Sequence, residues 1–223
     1  MTTPAQATWR EVRIPAGRHR LSGVLTLPPA AVGVVAFAHG SGSGRFSPRN
    51  QFVAGVLNQA GLATLLLDLL DEGEAEDRAK VFDIALLAER LQCAADWLGM
   101  EPATRALRLG YFGASTGAGA ALVAAARRPA LVGAVVSRGG RPDLAGDHLA
   151  DVRSPTLLIV GGDDDVVLRL NEEALGQLRC PRELVVVPGA THLFEEPGTL
   201  DEVARLAQGW FARHLRPSPQ PAD

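Results

Sequence analysis

The sequence predicts an α/β protein, a mostly parallel sheet with helices on both faces, and three observations carry that prediction. Short apolar runs recur along the chain: "VGVVAFA", "LATLLLDLL", "ALRLGYF", "LVGAVV", "PTLLIV" and "ELVVV". Near-continuous runs of this length suit strands that are covered on both faces. Segments with apolar residues three and four apart lie between many of them, long enough to be crossover helices between parallel strands. The runs also end in glycine and polar residues, in "HGSGSGR", "GASTG", "GGDDDVV" and "PGATHLF". Ligands bind at the carboxyl ends of strands in such sheets.

The elements follow in order. "WREVRIP" and "LSGVLTLP" read as two opening strands joined across "AGRHR". "VGVVAFAHG", Val32 to Gly40, is a buried strand. In "RNQFVAGVLNQAG", Phe52, Val53, Val56, Leu57 and Ala60 fall on one helical face, and Gly61 stops the helix. "LATLLLDLL" returns to strand. The acidic run "DEGEAEDRAK" reads as a solvated loop rather than a metal site, because its carboxylates lack convergent ligand spacing. A long helix follows, with Val81, Ile84, Ala85, Ala88, Leu91, Ala95 and Leu98 as its buried stripe. "ALRLGYFG" is a strand, and an alanine-rich helix starts after Ser115. "LVGAVVSRGG" and "PTLLIVGG" are buried strands with a polar stretch between them. "LNEEALGQL" is a helix and "RELVVVPG" a strand. The last helix starts near Thr199 and shares Val203, Leu206, Ala207, Trp210, Phe211 and His214 on one face. A single domain over residues 1–223 is expected, with an ordered core from about 8 to 215 and a disordered tail, 216–223. No large lid is expected, since the late strands are joined by short loops.

Composition narrows the function classes. The 223 residues are 47% apolar and 21% charged, with a net charge of −3, which favours neither nucleic acid nor an anionic membrane. No apolar run approaches the length of a membrane span, and "MTTPAQATWREVRIP" lacks the charged start and apolar centre of a signal peptide. Cys93 and Cys180 form neither a disulfide framework nor a metal site and read as reduced thiols, so a cytoplasmic location is expected. "HGSGSGR" has no Walker lysine, and no Gly-x-Gly-x-x-Gly with a downstream acid follows an early strand. No cofactor and no metal is expected, and the partner is a small molecule.

The chemistry sits at the strand ends. Gly113-Ala114-Ser115-Thr116-Gly117 joins a strand to a helix. Glycine costs conformational entropy there, but only small neighbours let the chain turn sharply enough to project a serine outwards. A serine hydroxyl is a weak nucleophile until a histidine takes its proton and an acid orients that imidazole. The later strand ends supply an acid within Asp163-Asp164-Asp165 and a histidine, His192, so that Ser, Asp and His follow one another along one rim. His39 reads as a buried, hydrogen-bonded residue, while His19, His148 and His214 read as surface or packing residues. Arg45, Arg49 and Arg138 stand near the same rim; they can bind a substrate carboxylate or phosphate through paired N–H donors, or pin loops to Asp68, Asp71 or Asp143.

From about Val12 to Leu215 the chain resembles the α/β-hydrolase fold and, within it, the dienelactone-hydrolase-like branch. It is similar to a group of short bacterial proteins that share "AHGSGS", "SPRN", "GYFGASTG", "VVSRGGRPDLA", "PTLLIVGG" and "HLFEEPG", all present here. The resemblance implies Ser115 as nucleophile and His192 as general base. The family's Gly-x-x-Asp pattern, counted from Gly161, points to Asp164 as the acid. It also implies an oxyanion hole from the backbone N–H groups of Thr116 and Ser41. Dienelactone hydrolases proper use cysteine where this chain has serine. The implied reaction is hydrolysis of small esters or lactones through an acyl-serine. A thioesterase, small-peptide hydrolase or acyltransferase would use the same residues. A non-catalytic binding protein of this fold would show a broken triad.

Overall fold

The computed structural model describes residues 6–216; the predicted tail falls largely outside them. Eight strands form one sheet: β1 (Thr8–Ala16), β2 (His19–Leu27), β3 (Gly33–Ala38), β4 (Leu62–Leu67), β5 (Leu109–Ala114), β6 (Val132–Arg138), β7 (Thr156–Gly161) and β8 (Arg182–Val187). Their spatial order is β1-β2-β4-β3-β5-β6-β7-β8. β1 and β2 are an antiparallel hairpin with Ala16 opposite His19, and β2 pairs antiparallel with β4. From β4 to β8 all pairs are parallel. Every residue of β3, β4, β5 and β7 is buried, which is why their sequences run apolar without alternation.

The helices cover both faces. They are α1 (Pro48–Gln59), α2 (Glu72–Ala75), α3 (Arg78–Val81), α4 (Ile84–Met100), α5 (Thr116–Arg127), α6 (Asp165–Gln177) and α7 (Thr199–Leu215). On one face α4, α5 and α6 pack over Ile14, Leu65, Leu109, Tyr111 and Leu158. On the other, α1 and α7 pack over Val35, Phe37, Phe112, Val136 and Ile159. Local chemistry sets the helix starts: Pro48 sits in the first turn of α1, where Ser47 Oγ accepts from the Asn50 N–H, and Asp83 Oδ1 accepts from the Leu86 N–H ahead of α4.

Several expectations are corrected. The acidic run is not a solvated loop throughout. Asp71 caps α2, and Glu74 is buried because the Arg90 guanidinium reaches back from α4 to meet it at 3.0 Å. Burying a carboxylate requires such a partner. α4 starts at Ile84, with Ala85 exposed and Leu87 and Ala94 in the buried stripe instead. Phe52 of α1 is exposed, and buried Asn50 and Ala54 join Val53 and Leu57 on the inner face. In α7 the expected face holds, with Leu206 and His214 half-buried at its edge. The polar stretch before β7 is a kinked 3₁₀ segment, Pro142–Asp151.

Candidate active site

Ser115 follows β5 and precedes α5 with φ 49° and ψ −124°. A non-glycine residue held at positive φ is strained, and the two glycines explain how the strain is tolerated. A Cβ at Gly113 would overlap the Ala118 backbone, and one at Gly117 would overlap the carbonyl groups of Ala38 and His39. Helix α5 can therefore start pressed against β5 and β3. The turn is tied down by its own carbonyl, which accepts from the Ala118 and Arg141 N–H groups at 3.0 Å each.

Asp164 and His192 come from the ends of β7 and β8. The Gly162 N–H donates to the Val187 carbonyl at 2.8 Å and the Asp163 N–H to the Ala190 carbonyl at 2.9 Å, so the two loops run side by side. His192 Nδ1 lies 2.7 Å from Asp164 Oδ2. The carboxylate accepts, so Nδ1 carries a proton, and in the neutral ring the lone pair then sits on Nε2. Asp163 and Asp165 are exposed. Ser115 and His192 line one cavity of about 230 Å³, with Gly40, Ser41, Arg49, Arg138 and Leu193. Ser115 Oγ and His192 are not hydrogen-bonded to each other among the described residues; such contacts are often long without substrate. A larger cavity, about 430 Å³, opens at the opposite ends of the strands beside Arg105, Arg108 and Arg153 and includes none of these residues.

The "HGSGSGR" loop closes the other side. His39 Nε2 accepts from the Leu69 N–H at 3.0 Å, which leaves Nδ1 to donate to the Gly40 carbonyl at 2.9 Å. Burial pushes its pKa below the usual histidine value, outweighing the Gly40 bond and Asp68. The neutral imidazole thus staples the loop to the end of β4. The Ser41 N–H, expected in the oxyanion hole, donates to Thr116 Oγ1 at 3.1 Å. The side chain of the residue after the serine therefore bridges the two expected donors.

The three arginines separate. Arg45 is spent on Asp68, through its backbone N–H at 2.7 Å and through its guanidinium. Arg49 reaches Glu195 at 3.0 Å across the cavity mouth, with a side chain about a third exposed. Arg138, at the end of β6, is 6% exposed and has no carboxylate partner among the described residues. Its Nε has no hydrogen-bond partner, and its guanidinium lies 5.9 Å from the Phe194 ring centroid. Burial, with a smaller contribution from repulsion by Arg49, pulls its pKa down to about 10.

Sequence reading missed several supports. Thr191 donates to Glu196 from its hydroxyl at 2.6 Å and its N–H at 3.1 Å, bracing the turn that carries His192. Buried Asn171 donates to the Gly140 carbonyl at 3.0 Å, fixing the loop after Arg138 to α6. A third, apolar cavity of about 180 Å³ lies beyond the glycine-rich loop, among His39, Leu70, Ala75, Val81, Leu87 and Thr116. An acid soon after the histidine in "HLFEE" was a usable signal for Glu196; nothing local marks Asn171. His19, Asp71 and Glu74 could present ligand atoms to a metal ion, but Arg90 and Lys80 already face Glu74.

This sheet order, with a strained serine after β5 and an aspartate and histidine after β7 and β8, defines an α/β-hydrolase fold. Residues 52–214 match the family model described as the dienelactone hydrolase family, and the chain belongs to that family. It is similar to a dienelactone hydrolase from Anabaena variabilis, at 57% identity and a TM-score of 0.92, covering 95% of this chain and all of that one. A Mycobacterium tuberculosis protein named as a candidate phosphoribosyl transferase is 60% identical over 205 residues, 92% of this chain and 46% of that protein. The chain thus spans about half the length of that curated relative. The esterase domain of a Rhodothermus marinus protein shares the fold, with a TM-score of 0.75 at 19% identity over 93% of this chain and 99% of that one. No described helix is long and apolar enough to cross a membrane.

Proposed function

We propose that the protein is a serine carboxylesterase acting on small esters or lactones, with Ser115, His192 and Asp164 as its triad. The observation that carries this is the shared cavity of Ser115 and His192, with His192 Nδ1 held by Asp164 at 2.7 Å. His192 Nε2 takes the Ser115 hydroxyl proton as Oγ bonds to the substrate carbonyl carbon. The oxyanion is held by the N–H groups of Thr116 and Ser41, the latter exchanging Thr116 Oγ1 for substrate. The tetrahedral species collapses as His192 returns its proton to the departing alcohol oxygen. Water, deprotonated by His192, then releases the acid and regenerates Ser115. Apart from substrate and water, these steps use only groups of this chain.

Arg138 supplies the binding side of the reading. A buried guanidinium without an acid is costly, and here it faces the cavity of the nucleophile. A carboxylate or phosphate on the substrate would complete it, with Arg49 at the mouth. Arg45 drops out of this role, since Asp68 occupies it. The substrate is a small molecule rather than nucleic acid or a membrane. A cytoplasmic setting goes with Cys93 and Cys180, both free thiols.

A fluorophosphonate probe tests the proposal. Peptide mass spectrometry should find the adduct on Ser115, and Ser115→Ala should lose both the adduct and ester turnover while keeping its fold. Full esterase activity in folded Ser115→Ala refutes the assignment.

A further inference from the structure

We infer that the apolar cavity beyond the glycine-rich loop is the acyl subsite, so that the enzyme selects a short acyl chain. This rests on the esterase reading above. Once the carbonyl oxygen lies at the N–H groups of Ser41 and Thr116, the two other substituents of the carbonyl carbon must diverge. The leaving oxygen needs the proton that His192 carries, so the alcohol half lies on the His192 side. That cavity also holds Arg49, Arg138 and Leu193. The acyl half then points across the loop.

What it meets there is a second space. The two cavities adjoin, since Gly40, Ser41 and Ser43 line both. The far one is walled by Leu70, by Ala75 of α2, Val81 of α3 and Leu87 of α4, with Thr116 at the loop side. These aliphatic walls offer an alkyl chain burial and offer a charged group nothing. The volume of about 180 Å³ is roughly six water-sized volumes at ~30 Å³ each, room for a chain of about four to six carbon atoms. The two single-turn helices, which the sequence presents as an acidic loop, thus act as the end wall of the subsite. Ala75 is its smallest and an exposed side chain, so a larger residue there can shorten the subsite without disturbing the core.

The test is kcat/KM for 4-nitrophenyl esters from acetate to decanoate, with wild type and Ala75→Phe. Wild type should peak near butanoate to hexanoate and fall at least about tenfold by decanoate, in line with the value of single methylenes in apolar pockets. Ala75→Phe should move the peak to acetate, lowering the hexanoate-to-acetate ratio of kcat/KM at least about tenfold. A second comparison reads the sides directly. Methyl pentanoate and butyl acetate are isomers that exchange the chain between acid and alcohol; wild type should prefer methyl pentanoate, and Ala75→Phe should erase that preference. A profile that climbs to decanoate, a preference for butyl acetate, or a profile unmoved by Ala75→Phe overturns the assignment. Failure to turn over any ester, or absence of Ser115 labelling by fluorophosphonate, would instead overturn the esterase reading beneath.

Discussion

Replacing Arg138 by methionine should make the protein more stable and a poorer catalyst for anionic substrates. Arg138 is 6% exposed and its guanidinium faces no carboxylate among the described residues. Burial chiefly pulls its pKa from the usual arginine value down to about 10. At about 1.4 kcal/mol per unit, the folded state holds this charge at a cost of about 3 kcal/mol. Methionine fills similar space with an unbranched apolar chain and removes that cost. It also removes the contact with the Phe194 ring at 5.9 Å, worth about 0.5–1 kcal/mol. The net expectation is a gain of about 2 kcal/mol, or a rise in Tm of roughly 4–8 °C for a chain of this size. Urea unfolding followed by tryptophan fluorescence should show a higher midpoint with an unchanged slope. Arg138→Lys keeps the charge and should show no such gain. Were Arg138→Met no more stable than wild type, the charge would already be compensated within the fold, and the argument for an anionic substrate group would fail.

Asp164→Asn should lower kcat by about 10³–10⁴-fold, because an amide no longer fixes the imidazole tautomer; activity within tenfold of wild type would remove Asp164 from the triad. Stability should decline as pH falls from 7.5 to 5.5. The folded pKa of His39 is depressed by burial, so below about 6.5 the unfolded chain binds a proton that the folded chain resists. His214, lowered by burial and Arg213, acts in the same direction. The depressed carboxylates, Glu196 among them, contribute only at lower pH, so a flat Tm between 7.5 and 5.5 would contradict the His39 argument. Gly117→Ala places a methyl group into the carbonyls of Ala38 and His39. It should cost more than about 3 kcal/mol, read as a matching loss of urea midpoint.

Much of the site was legible because strand ends are local in sequence. Ser115, Asp164 and His192 each follow an apolar run, and neighbouring strands bring the runs together without further information. The glycines were legible for the same reason, since the elbow forms within five residues. What could not be read were pairings between distant segments. Nothing around Arg45, Arg49 or Arg138 tells which one finds an acid; the answer depends on Asp68 after β4 and Glu195 near the last helix. Glu74 looks solvated beside six other charged residues until Arg90, sixteen positions later, turns it inward. Phe52 and Ala85 sit at helical spacing yet face outward, because periodicity fixes a stripe's rotation only to within a residue or so. The apolar cavity was hidden too, its wall assembled from four residues that no single motif contains.

Arg138 also bears on how this scaffold can change its diet. Its backbone carbonyl faces the Ser115 N–H at 3.4 Å, while its side chain lines the cavity. One residue thus holds the Ser115 turn through atoms that every amino acid shares and lines the cavity through atoms that differ. If the proposed esterase activity holds, mutation here should change substrate preference and leave the elbow's backbone anchor in place, which makes the position a starting point for directed evolution towards uncharged esters.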